Sequence, residues 1–161
     1  SLYTIKKSVL ECPSCFRFFS TKDGEKYCAI CRNTNRDPSK RMIVEKDIDI
    51  ETIEKSGSYN GLYIVLGQLL TTTEKNPAQK LNLSRITTLI EQEGENIDEL
   101  VYALATTTDG EETVLYLEEA LSNVCAKYSI RSTRLGRGLS TGAELEYADP
   151  ETIKNALRNR K

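Results

Sequence analysis

The chain of 161 residues contains no histidine, no tryptophan and a single methionine. Without histidine there is no Ser-His-Asp or Cys-His pair, no histidine-ligated metal hydrolase and no imidazole to exchange protons near neutrality. Long apolar runs are missing too. The longest, Leu62 to Leu70, is interrupted by Gly67 and Gln68 and falls well short of the roughly 20 residues that a membrane helix needs. No signal peptide is recognisable at the N-terminus, and the first residue is Ser1, which suggests a trimmed piece. What is present, 39% hydrophobic residues, suits a folded domain of the usual size of about 150 residues with a small appendage.

Four of the five cysteines lie in the first fifth of the chain, as Cys12, Cys15, Cys28 and Cys31, a C-x2-C-x12-C-x2-C pattern. Each C-x-x-C turn presents two sulfurs, and two such turns supply the four thiolates of a tetrahedral ion. Two disulfides are the competing reading, but disulfide scaffolds scatter their cysteines through the whole chain, and a reduced cytoplasmic setting fits this spacing better. The pattern points to one structural zinc. Sulfur spacing alone does not choose between zinc and a rubredoxin-like iron. Four protein thiolates leave no position for water, so such a site is structural and not catalytic. Cys125 stands apart on the apolar side of an expected helix and reads as a small buried hydrophobe.

The net charge of −2 hides a division. Residues 1–41 carry 9 basic and 4 acidic groups, residues 42–126 carry 5 and 16, and residues 127–161 carry 8 and 4. Both ends are basic and the middle is acidic, so contact with nucleic acid would come from local patches or from several copies together. Ordinary solvated surfaces explain the same charges.

After the cysteines, Asn33 to Arg41 reads as a linker. Strand signals follow at Arg41–Glu45, Gly61–Leu66, Leu100–Ala105 and Ile130–Leu135. Between them lie a short helix over Ile50–Glu54 ended by Gly57, a long loop over Gln68–Asn82, and a helix capped by Ser84 with Ile86, Leu89 and Ile90 on one face. The clearest helix covers Glu111–Lys127, with Val114, Leu117, Leu121 and Val124 as its stripe. Asp149-Pro150 opens a last helix through Ile153, Ala156 and Leu157, after a Gly-rich stretch from Gly136 to Gly142. Alternating strands and helices imply an α/β fold, a mainly parallel sheet with right-handed crossovers and helices on both faces, preceded by the small four-Cys module. In such sheets ligands collect beyond the carboxyl ends of the strands. Glu45 ends the first strand and Asp109, Glu111 and Glu112 follow the third, a set that reads as a magnesium site. Asp109 with Glu112 three residues on also reads as an acidic capping box, which accounts for both without a metal.

Together these residues resemble the RecR family of bacterial recombination mediators over essentially the whole chain. The carrying motifs are Cys12-Pro13-Ser14-Cys15-Phe16 and Cys28-Ala29-Ile30-Cys31, then Arg36-Asp37, then Ile43-Val44-Glu45 as the start of a Toprim domain with Asp49 and Glu54 downstream. Tyr59 to Gly67 looks like the family's second-strand signature, and Gly110-Glu111-Glu112-Thr113 like its G-E-A-T segment. The tail from Thr133 to Leu139 and from Gly142 to Asp149 is the most specific piece. The resemblance implies residues 1–11 as a remnant of an N-terminal helical region, 12–40 as the zinc module, 41–135 as the Toprim domain and 136–161 as a C-terminal segment. Ile64 stands where the family has His, Gln68 replaces a common Gly, and the zinc loop is extended around Thr21 to Glu25. The family's leading helix-hairpin-helix has no counterpart before Cys12.

The resemblance further implies a non-enzymatic, cytoplasmic, nucleoid-associated clamp for recombinational DNA repair. Its subunits form a tetrameric ring in the full-length family, with a dimer expected for this fragment. DNA and the protein RecO are the implied partners, RecF remaining open, and together they load recombinase onto single-stranded DNA. Glu45 and Asp49 are the matched acids that would face RecO, and Arg36, Arg134 and Arg137 are candidates for phosphate contact, with ordinary surface arginines as the alternative. Catalytic Toprim proteins carry a D-x-D pair after the third strand, where this chain has Ala105 and Thr107. Glu45, Asp109 and Glu111 are therefore degenerate acids, and magnesium is not expected. The rival readings are a magnesium-dependent Toprim nuclease or nucleotidyl transferase, and a pure protein-docking module.

Overall fold

In the computed structural model, residues 8–21, 23–135 and 150–160 are described. Two sheets are built from them. The first is an antiparallel hairpin of β1 (Ser8–Glu11) and β2 (Phe18–Thr21). The second has four strands, β3 (Asp37–Val44), β4 (Gly61–Val65), β5 (Glu99–Tyr102) and β6 (Arg131–Arg134), in the order β4-β3-β5-β6 with every neighbouring pair parallel. Parallel neighbours cannot be joined by a hairpin, so each connection crosses a face of the sheet and covers it.

Side chains alternate across a strand, which divides the core into two layers. Met42, Val44, Tyr63, Val65 and Val101 pack with Ile50 and Ile53 of α2 (Asp47–Ser56) and with Ile153 and Leu157 of α7 (Pro150–Arg158). Ile43, Ile64, Leu100 and Tyr102 point the other way, toward Ile86, Leu89 and Ile90 of α4 (Leu83–Glu93), Val114 and Leu117 of α5 (Thr108–Ala120) and Val124 of α6 (Ser122–Tyr128). The central strands are buried on both sides, which is why Met42-Ile43-Val44 reads as an unbroken apolar run. Each Ile shielded in this way contributes roughly 1.5–3 kcal/mol. No helix among the described residues is long and apolar enough to cross a membrane.

The α/β layering and the parallel sheet are as the sequence implies; several boundaries are not. Residues 37–40, expected in a linker, already belong to β3, because Asp37 pairs with Gly61 before a register shift that ends at Arg41. That irregularity also accommodates Pro38, which has no ladder N–H to donate. The expected long loop holds a one-turn helix, α3 (Pro77–Lys80), begun by Pro77 at its first turn. Asn82 in the left-handed region, and not Ser84, stands at the N-cap of α4. The expected helix over Glu111–Lys127 starts earlier and is interrupted at Leu121. Its N-cap is Thr107, whose hydroxyl accepts from the Gly110 amide at 3.2 Å, so Asp109 and Glu112 are not the capping box. The Gly136–Gly142 stretch and Asp149 lie outside the described residues.

Candidate metal centre and sheet edge

The cysteine knuckle is held by tight turns. Cys12 donates its amide to the Arg17 carbonyl at 2.8 Å and accepts from Phe16 N–H at 2.8 Å, with Phe16 itself at φ 70°. Cys28 sits at the N-cap of α1 (Ala29–Arg32) and its amide points at Cys12 Sγ, 3.5 Å away. All four Sγ atoms lie within 4.8 Å of one another, Cys15 and Cys28 being 3.7 Å apart, and none is in a disulfide. Zn–S bonds of about 2.3 Å in a tetrahedron place sulfurs about 3.8 Å apart, so the donors fit a four-thiolate ion. Cys12, Cys15 and Cys28 are buried and Cys31 is partly exposed. With protons alone the sulfurs oppose each other: the hydrogen bond with Cys15 holds Cys12 far below the ordinary thiol value, and the same pairing drives Cys15 far up. A cation replaces those shared protons. The extended loop after β2 is closed by Thr21, which donates to the Glu25 carboxylate and accepts from its amide.

This knuckle has no separate core among the described residues. Cys12, Cys15 and Cys28 share the layer of Met42, Val44 and Tyr63, while Phe16 enters the opposite layer under the Arg85 guanidinium, 3.9 Å from its ring. Arg85 also pairs with Glu11. The Cys15 carbonyl accepts from Val65 N–H at 2.8 Å, so the knuckle caps the end of the outer strand β4. Between the hairpin and the sheet runs a groove of 510 Å³ whose walls include Phe18, Ile48, Leu66 and Lys46. Phe18 and Ile48 are 59% and 41% exposed there, an apolar rim that the sequence did not signal.

At the carboxyl edge of the sheet, Glu45 follows β3 and is half-buried, its carbonyl accepting from Gly67 N–H at 2.7 Å. Asp49 is buried and its carboxylate accepts from the Lys46 amide at 3.0 Å, which makes it part of the N-terminal cap of α2. Asp109 and Glu111 lie in the first turn of α5, and Glu111 pairs with Arg134. Among the described residues the cysteines are the one set of three or more potential ligands that converges; Glu45, Asp109 and Glu111 do not. The loop itself is tightly wound. A Cβ on Gly110 would stand 1.8 Å from the Ala105 carbonyl oxygen. Thr113, read in the sequence only as part of a motif, is fully buried; it accepts from Leu70 N–H at 2.8 Å and donates to the Asp109 carbonyl at 2.7 Å.

The arginines are largely engaged within the fold. Arg36, 11% exposed, pairs with Glu54 and donates to the Tyr59 carbonyl, and Glu54 also accepts from Tyr63. Arg134 bridges Glu111 and Glu118, and Arg137 lies outside the described residues. Glu99, unnoticed in the sequence, is 1% exposed at the start of β5 and is held by Arg160, Arg131 and Thr133.

A match to the Toprim domain covers residues 39–135, and a match described as RecR, C-terminal covers residues 138–161. Recombination protein RecR of Dehalococcoides mccartyi strain ATCC BAA-2266 is 36% identical over 160 residues, spanning 99% of this chain and 74% of that protein. The chain belongs to the RecR family. Recombination protein RecR of Lactobacillus helveticus strain DPC 4571 is 32% identical over 99% of this chain and 76% of its own length. That of Carboxydothermus hydrogenoformans is 32% identical over 100% and 76%. Two positions expected to depart from RecR proteins have clear local roles. Ile64 is fully buried in β4, and Gln68 donates its amide to the Lys80 carbonyl at 2.7 Å.

Proposed function

We propose that this chain is a DNA-binding subunit of a recombination mediator, built on a structural zinc and performing no phosphoryl chemistry. Its relatives are named recombination proteins. The observation that carries the reading is the acid-poor edge of β5. The residues leading into α5 are Ala105, Thr106, Thr107 and Thr108, Thr107 being the helix cap and Glu111 turned to Arg134. Glu45 is left without convergent carboxylates, too few to retain a magnesium ion that keeps its own waters.

Zinc would be held by Cys12, Cys15, Cys28 and Cys31, and its contribution is to fold the knuckle onto the sheet. Glu45 is the acid that would meet RecO, while Asp49 supports it by capping α2. Arg36, Arg134 and Arg137 are the candidate phosphate contacts, Arg36 being the more enclosed of the two described, at 11% exposure against 36% for Arg134. Two copies are expected to associate. Fluorescence anisotropy with labelled oligonucleotides should give weak binding that falls steeply with salt. Incubation with supercoiled plasmid and magnesium should leave it intact for wild type and Glu45→Gln alike. Magnesium-dependent nicking abolished by Glu45→Gln would overturn the reading, and RecO capture without any DNA affinity at low salt would favour a docking module instead.

A further inference from the structure

Arg41 is 3% exposed on β3, deep in the sheet. A guanidinium does not surrender its proton in a protein, so this residue carries its positive charge into the interior. Among the described residues no carboxylate lies within ion-pair distance of it. Its hydrogen bonds go from one nitrogen, Nη1, to Ser14 Oγ at 3.0 Å and to the Ser14 carbonyl at 3.4 Å, and its Nε is buried with no partner. A buried charge without a counter-charge is strongly unfavourable, so its compensation must come from nearby.

Ser14 is the residue between the first two cysteines, in the turn that carries Cys12 and Cys15. A divalent ion with four thiolates has two negative charges in excess, in surroundings where three of the four cysteines are buried. The two problems answer one another. We infer that Arg41 is the counter-charge and positioning residue of the thiolate centre: its guanidinium offsets the excess negative charge and, through Ser14, fixes the Cys12–Cys15 turn in its chelating shape. This rests on the metal reading above and adds to it a residue outside the C-x-x-C motifs.

The test compares wild type, Arg41→Met and Arg41→Lys as purified protein. Bound zinc is measured by elemental analysis, its release to excess chelator is followed with a metallochromic dye, and the thermal midpoint is recorded alongside. Outer partners of metal ligands typically govern about 10- to 100-fold in affinity, and Arg41→Met should release zinc faster by that factor. Arg41→Lys, which keeps the charge, should stay close to wild type in release whatever happens to its thermal midpoint. Release from Arg41→Met at the wild-type rate overturns the inference. So does equally fast release from both variants, since charge would then not be the agent. If Arg41→Met yields no folded protein, Arg41→Lys decides alone: zinc retention supports the inference and rapid loss overturns it. Wild type free of any metal removes the metal reading itself, and this inference with it.

Discussion

Gly110 shows how a single absent methyl can govern the sheet edge. An alanine there would place its Cβ 1.8 Å from a backbone oxygen, which cannot rotate away as a side chain could. Gly110→Ala should therefore cost about 3 kcal/mol, the upper end of ordinary overpacking, read as a lower urea midpoint. Asp49 caps α2 by accepting from the Lys46 amide. Removing a cap of this kind costs about 1 kcal/mol, so Asp49→Ala should lower stability by that amount. Glu99 adds a pH dependence. Burial raises its pKa, but the bonds from Arg160 and Thr133 outweigh this and hold the carboxyl below its ordinary 4.5. The stabilisation is complete above that ordinary value and disappears as pH falls through the lower folded one. Denaturation midpoints measured from pH 6 down to about pH 3 should drop less steeply for Glu99→Gln than for wild type. Cysteine spacing made the four sulfurs legible from the chain alone. Glu99, Thr113 and Arg41 were not legible, because each takes its meaning from partners 27 to 61 positions away.

Among the elements, those with a strong apolar period were legible and their ends were not. β3 and α4 show why. Met42-Ile43-Val44 announces a buried strand, yet the strand's start at Asp37 depends on Gly61, which lies across the ladder. α4 begins at an asparagine in the left-handed region, a conformation that the residue type permits and the local sequence does not demand. The hairpin β1–β2 escaped notice because Val9 and Phe18 are mostly exposed and follow no amphipathic rhythm. Phe16 is the element-level join between hairpin and sheet, since it leaves the knuckle to fill the layer of α4 under Arg85. Truncating a buried Phe costs about 3–5 kcal/mol, and Phe16→Ala should destabilise the sheet itself, not only the knuckle. Hydrogen exchange should show faster exchange at α4 as well as at residues 12–31.

For the molecule as a whole, the acidic middle and the basic ends mean that, on the proposed function, DNA would be met by local patches and not by one positive face. Binding through such patches should weaken steeply as salt rises. Removal of the metal belongs to this scale too. The hydrogen bond from Val65 to Cys15 places the knuckle over the outermost strand of a four-stranded sheet. Chelation therefore does more than loosen a loop: it releases the Val65 amide at the end of the buried outer strand Gly61–Val65. Metal-starved protein should fail by stacking edge to edge into ever larger particles, seen as rising light scattering after chelator is added, and a bound ion would thereby double as a guard against aggregation.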